Sequence, residues 1–413
     1  MNPSAPANSV LDRSMRRNLF LLACCQAFGQ ASNTMMFSAT ALSVITFYAR
    51  HDLATLPITL RHVGVMLSVF PAALLMQRMG RRFGFQMGSL TGMLGGAVVS
   101  YGLYERSFLL MCAGGLALGY SVACLQMYRF AAVELAPSAY RAKAISWVTA
   151  GGVAAGILGP GLVRWSYDQW AVLYLATYGA MIGLHIIVFT IMSFIHFPSM
   201  RDMPVSSHAG AEPIVPAAPP RPLLEIASQP RFLAAVVAAM VSYGTMSFLM
   251  SASPLAIVAC GLPHTEAHWV IFLHVMGMFV PSLFTGNLIT RFGTVQVMAW
   301  GCVVLLAGVT ISLSGLTEWH FRAALALNGL GWNFLFVGAT TLVTTCYRPN
   351  ERGKVQALND FLVFGTTGTA SFMAGFLQDH LGWFLLNWFS LVLISLSVVA
   401  VGWLWFRPEP EPA

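Results

Sequence analysis

Apolar runs long enough to cross a bilayer recur along this chain from end to end, and no other feature limits its fold so strongly. A hydrocarbon core about 30 Å thick takes about 20 helical residues to cross. Twelve such runs are read, at roughly 18–48, 57–79, 84–104, 107–133, 141–163, 171–197, 231–259, 266–290, 294–315, 319–346, 355–378 and 383–406. The 413 residues are 57% hydrophobic and only 9% charged, with a mean hydropathy of +0.70, which excludes a soluble globular domain. In lipid every backbone polar group must be satisfied internally, and runs of this length do so as helices. The expectation is an all-α polytopic membrane protein with twelve transmembrane helices. The first run is too long, and lacks the small-residue cleavage pattern, to be a removable signal peptide.

Charge sets the expected orientation, because Lys and Arg collect on cytoplasmic segments. With the N-terminus inside, sixteen of the 22 Lys and Arg residues fall on that side, among them Arg13, Arg16, Arg17, Arg78, Arg81, Arg82, Arg141, Lys143, Arg201, Arg291, Arg352, Lys354 and Arg407. Arg50, Arg106, Arg164 and Arg322 fall outside, and Arg61 and Arg129 lie within helices. Both termini are therefore expected in the cytoplasm. The net charge of +7 reflects this bias and is no argument for nucleic acid.

The chain reads as two halves. Residues 1–197 and 231–413 each hold six runs, and 198–230, rich in Pro and Ala, reads as a cytoplasmic linker without a fold of its own. At an offset of 213 residues, Ser38-Ala39-Thr40-Ala41-Leu42 matches Ser251-Ala252-Ser253-Pro254-Leu255. At the same offset Leu75-Met76-Gln77-Arg78-Met79-Gly80 matches Leu288-Ile289-Thr290-Arg291-Phe292-Gly293. Two parallel six-helix repeats place a transport site at their interface, near the midplane.

Over its whole length the chain resembles the major facilitator superfamily. Ala73-Leu74-Leu75-Met76-Gln77-Arg78-Met79-Gly80-Arg81-Arg82 is similar to that family's cytoplasmic gate signature, with Ala73 for Gly and Gln77 for Asp. The missing Asp removes its salt bridge, and Glu134 is the candidate to pair with Arg78, Arg81 or Arg82 when the inner gate closes. The Gly-Pro signature of drug antiporters shrinks to Gly159-Pro160, which weakens an exporter reading. In the second half, Ser242-Tyr243-Gly244, Met278-Phe279, Pro281-Ser282, Gly331-Trp332-Asn333-Phe334 and Leu358-Asn359-Asp360-Phe361 look like the CcoA-like branch. That branch includes copper importers supplying cytochrome oxidase assembly, and riboflavin transporters as well.

Four donors carry the metal reading. Met246 and Met250 on the seventh helix, and His274 and Met278 on the eighth, are each spaced i, i+4 and so lie about 40° apart on one face. The chain reverses between these helices, which brings the four to similar depth. Three thioethers and an imidazole suit copper, particularly Cu(I), and neutral thioethers hold an ion loosely enough to release it. They match the branch's MxxxM and HxxxM motifs. The same offset carries Met246 and Met250 onto Asn33 and Phe37, and His274 and Met278 onto Arg61 and Val65, so this set belongs to the second half alone. Met35 and Met36 are candidate facing donors.

Lesser candidates surround it. His264 and His268, at the outer mouth, imitate a metal spacing, and His51, His62, His320 and His380 lie toward the same side. Asp360 is a candidate for the coupling proton, or pairs with a cytoplasmic Arg; Arg129 reads as an anion attractor or as an ion-pair partner of Glu134. The seven cysteines form no CxxC, so neither a disulfide framework nor a zinc cluster follows; Cys24, Cys25 or Cys260 could assist copper handling. Gly115-Leu116-Ala117-Leu118-Gly119 and Gly152-Val153-Ala154-Ala155-Gly156 read as close helix packing. No phosphate loop or catalytic arrangement appears, so an enzyme is not expected. The leading expectation is copper import across a bacterial inner membrane by alternating access, with copper as cargo, no permanent cofactor, and copper-delivery proteins of cytochrome oxidase as partners. A carrier of riboflavin or another organic solute, using Trp332, Asn328, Asn333 or Tyr243, is the first alternative. A non-transporting sensor or assembly factor is the second.

Overall fold

The computed structural model describes residues 13–137, 140–197, 221–348 and 351–406, and they are helical nearly throughout. The spans are α1 (Arg13–Val44), α2 (Leu56–Met79), α3 (Arg81–Tyr104), α4 (Phe108–Gln126, continued by Tyr128–Glu134), α5 (Arg141–Ser166) and α6 (Leu175–Ser193). The second half holds α7 (Pro230–Ala259), α8 (His264–Phe279, continued by Ser282–Phe292), α9 (Thr294–Ser314) and α10 (Glu318–Thr344). A last helix, Arg352–Trp405, is divided at Gly382 (φ 72°, ψ 177°) into α11 (352–381) and α12 (383–405). Twelve spans result, as expected. Eight helices, the divided one counted once, are apolar enough to cross a membrane by composition alone. The others, α1, α3 and α5, are as long but more polar; α1 turns Gln26, Gln30, Asn33 and Thr34 toward a cavity.

The two halves repeat in geometry as well as in sequence. Gly80, between α2 and α3, has φ 89° and ψ 158°; Gly293, 213 residues on between α8 and α9, has φ 90° and ψ 153°. A Cβ makes that backbone region costly, so the tight turn of the signature loop requires glycine in both copies. Lipid gives helices no hydrophobic reason to associate, and backbones meet instead where side chains are small. A Cβ on Gly115 or Gly119 of α4 would overlap the backbone of Pro57 or Gly64 of α2. The glycines of α5 pack across the halves, Gly152 on Phe279 and Gly156 on Met276. Both glycine stretches thus pack as their sequence suggests.

Both ends of the described chain lie at one face of the bundle, here called proximal; the opposite face is distal. At the distal face the halves touch. Tyr174 Oη and His264 Nδ1 are 2.9 Å apart, His268 lies against Tyr167 and Tyr174, and the Arg164 guanidinium sits 5.0 Å from the Trp269 ring. A Cβ on Gly375 would come within 2.5 Å of Thr55 Oγ1, so α11 lies hard against the start of α2. The distal side is closed, and the halves diverge toward the proximal side.

Residues 198–220, with Arg201, and Arg407 lie outside the described residues. The rest of the expected linker is more ordered than its composition suggests. Leu223–Ala227 is a short helix with Ile226 buried. Arg221 pairs with Glu351 at 2.8 Å, and this guanidinium holds the Glu351 carboxyl well below the usual carboxylate range. The chain is thereby tied to the loop between α10 and α11.

Candidate functional site

Between the halves lies a cavity of about 350 Å³, within the range that takes a drug-sized molecule. It runs from mid-span toward the proximal face, and α1, α2, α4, α5, α7, α8, α10 and α11 all contribute to its wall. Pseudo-symmetry explains this arrangement, since the cavity follows the seam between the repeats.

The second half supplies an aromatic and thioether wall. Trp332 and Phe336, one helical turn apart on α10, are stacked with centroids 5.2 Å apart and planes 15° from parallel. Tyr243 of α7 meets both edge-on, at 5.4 and 4.9 Å, and Phe364 of α11 stands 5.8 Å from Tyr243. Edge-to-face contacts fix the Tyr243 ring while leaving the Trp332–Phe336 pair at the wall. The Trp332 indole N–H is buried without a partner. Met246, Met250 and Met278 line the same space and form one apolar cluster with Phe37, Ile271, Val275 and Trp332.

The structure brings together three of the four expected metal donors. His274 is fully buried but does not line the cavity; it turns to α10, where its Nδ1 meets the Leu325 carbonyl at 2.8 Å. The reason is helical phase. On α8, Ile271, Val275 and Met278 share the face toward the cavity cluster, and His274 sits at its edge, against the close approach of Gly277 and Gly329 to the facing backbone. Met35 and Met36, expected as facing donors, are buried elsewhere: neither lines the cavity, and Met36 borders a small chamber within the first half. No cysteine lines the cavity either.

The first half supplies charge and polar groups. Arg61 is 2% exposed, on the wall of the cavity, and no ion pair holds it among the described residues. Its Nη1 donates to Asn33 Oδ1, its Nη2 donates to His62 Nε2 at 3.1 Å, and its Cζ lies 4.4 Å from the centre of the Phe37 ring. His62, expected toward the outside, is buried beside it. Two of the five guanidinium N–H bonds are thus used, and Nε is buried without a partner. These are the residues the sequence reading passed over. A signal existed: Asn33, Phe37 and Arg61 are the offset partners of Met246, Met250 and His274, and in the structure they contact one another.

Among the described residues Asp360 is the only acid on the cavity wall, and Arg129 of α4 lines the same cavity from the other half. Glu134 does not pair with Arg129. It holds Arg81, with Nη2 to Oε1 at 2.6 Å, while Arg78 and Arg82 stay exposed. This pair joins the start of α3 to the end of α4 inside one half and is formed with the cavity open toward that side, so it does not wait for an inner gate to close. Of the residues expected to handle an organic solute, Tyr243 and Trp332 line the cavity. Asn333 instead ties α10 to α8, donating to the Met278 carbonyl and to Ser282 Oγ, and Asn328 is buried away from the cavity.

Comparison with known proteins agrees with this architecture. The family model described as Major Facilitator Superfamily matches residues 235–413. The riboflavin transporter RfnT of Brucella anthropi is 38% identical over 385 residues, covering 93% of this chain and 94% of its own. YddS of Bacillus subtilis, an uncharacterized MFS-type transporter, is 26% identical, covering 96% of this chain and 93% of its own. Among solved structures, a D-xylose–proton symporter aligns with a TM-score of 0.72 at 13% identity, over 95% of this chain and 98% of that one. The fucose–proton symporter of Escherichia coli aligns with a TM-score of 0.63 at 16% identity, over 96% and 100%. None of these relatives is named for a metal.

Proposed function

The chain belongs to the major facilitator superfamily and is a secondary transporter of that family; from this premise we propose that its cargo is riboflavin or a closely similar flavin, imported by alternating access. The observation that carries the reading is the pairing of two surfaces in one cavity. A stacked aromatic wall, Trp332 on Phe336, stands with a buried guanidinium that has no counter-ion among the described residues. A planar heteroaromatic with an electron-rich edge answers both. The cavity volume of about 350 Å³ is compatible with the same reading, because it lies in the range of small-molecule sites. The 38% identity to a riboflavin transporter supports it independently.

Copper retains one favourable observation, the three thioethers. Two others oppose it. His274 does not line the cavity, and the Arg61 cation rests on the Phe37 ring, which belongs to the same cluster as the sulfurs. Like charges repel, so a guanidinium at the edge of this cluster disfavours a bare cation there. The expected setting is the bacterial cytoplasmic membrane, with the Arg-rich proximal face inward. The test is uptake of labelled riboflavin and of copper by riboflavin-auxotrophic cells, with and without the protein. Riboflavin uptake should follow expression while copper content stays constant. Copper uptake without riboflavin uptake would overturn the reading.

A further inference from the structure

Arg61 calls for its own explanation, because it is a guanidinium buried inside a membrane span with no ion pair among the described residues. Burying an ion without a partner costs several kcal/mol, and intramembrane charges are kept where they meet a substrate or an ion path. The cluster around Arg61 does not neutralise it. Asn33 and His62 offer neutral acceptors, Phe37 offers a ring face, and Nε is left over. Because Arg61 can only donate, His62 Nε2 must accept, so the imidazole is neutral with its proton on Nδ1. Nothing in the cluster carries negative charge, and Asp360, the one carboxylate on the cavity wall among the described residues, forms no ion pair with Arg61 and takes its hydrogen bond from Asn359.

We infer that Arg61 is the specificity-determining residue for the flavin, donating hydrogen bonds to the carbonyl edge of the isoalloxazine while the ring's other end lies against Trp332 and Phe336. The inference rests on the flavin reading above and adds an orientation to it. The pyrimidine end of the flavin carries O2, N1 and O4 as acceptors; the benzenoid end carries only methyl groups. In this cavity the Arg61 guanidinium stands on the first half and the stacked aromatic wall on the second, so one ligand bridges the two bodies that must move together. Asn33 and Phe37 are positioning residues. Asn33 fixes the plane of the guanidinium from one side, and Phe37 supports its face. His274, at the offset position in the second half, does not line the cavity and takes no like role.

The experiment uses full-length protein in proteoliposomes, with riboflavin, 2-thioriboflavin (sulfur for O2, a weaker acceptor) and 7,8-didesmethylriboflavin (changed only at the benzenoid end). A hydrogen bond to a charged donor changes affinity by about 10- to 100-fold. The wild type should therefore prefer riboflavin to the 2-thio analogue by about tenfold or more. In Arg61→Gln the KM for riboflavin should rise by a similar factor and that preference should fall within about twofold, while the preference at the benzenoid end is unchanged. Arg61→Lys, which keeps the charge and loses the planar fork, should recover only part of the discrimination. A merely structural Arg61 would weaken all three flavins alike and leave both preferences intact; that result overturns the inference. So does a wild type that carries riboflavin and 2-thioriboflavin equally, whether or not Arg61→Gln inserts. If the wild type carries no riboflavin at all, it is the flavin reading itself that fails.

Discussion

At the scale of single residues, what a side chain does depends on whether it reaches the cavity. Met246 and Met250 reach it, as packing surface for a solute, so the double variant Met246→Leu/Met250→Leu keeps volume and apolarity. Its riboflavin KM should change by less than tenfold in a proteoliposome assay; a copper carrier would lose its ligands altogether. Asp360 is a different case. Among the described residues it is the only acid on the wall, and Arg129 of the opposite half lines the same cavity, which suits a group whose charge is sensed by both halves. Asp360→Asn should abolish accumulation driven by a pH gradient and leave riboflavin counterflow within a few-fold of wild type. Loss of both activities would assign Asp360 to binding or folding.

At the scale of helices and turns, glycines decide where elements approach and how they reverse. Gly375 lets α11 lie against Thr55 at the distal face. Gly375→Val should prop that face open: uptake should be lost with normal membrane insertion. A cysteine introduced by His268→Cys, at a buried position in this state, should also react faster with an impermeant thiol reagent. Gly293 is constrained by its own backbone rather than by a neighbour. With φ 90° and ψ 153°, and nothing near its Cβ position, Gly293→Ala should cost about 1–3 kcal/mol from conformation alone, read as a lower melting temperature in detergent. The elements themselves were largely legible beforehand. Twelve spans, the halves and the Gly80–Gly293 correspondence follow from run length and a fixed offset. The end of the linker did not, because the Arg221–Glu351 pair lies 130 residues apart in sequence.

At the scale of the whole molecule, this conformation is open proximally and closed distally, and transport requires the opposite state as well. His264 and Tyr174 join the halves across the closed face, with 2.9 Å between their side chains. Cysteines at these two positions, bridged by a short bifunctional thiol reagent, should stop riboflavin flux while binding from the proximal side persists. Flux that continues through the bridged protein would show that the distal face need not part.

The sequence by itself determined the membrane, the number of spans, the two-fold repeat and the family, because hydrophobic length and a regular offset are properties of the chain read in one dimension. It also pointed to Met246, Met250, His274 and Met278 in the second half, and its offset led to Asn33, Phe37 and Arg61 without marking them as a site. It could not say which copy matters at each position. An i, i+4 spacing leaves the rotation of a helix free, and only packing against α10 turned His274 out of the cavity while Arg61, its counterpart, stayed on the wall. Tertiary structure made that choice, because which face of a helix meets the cavity is set by the neighbours that cover the rest of it.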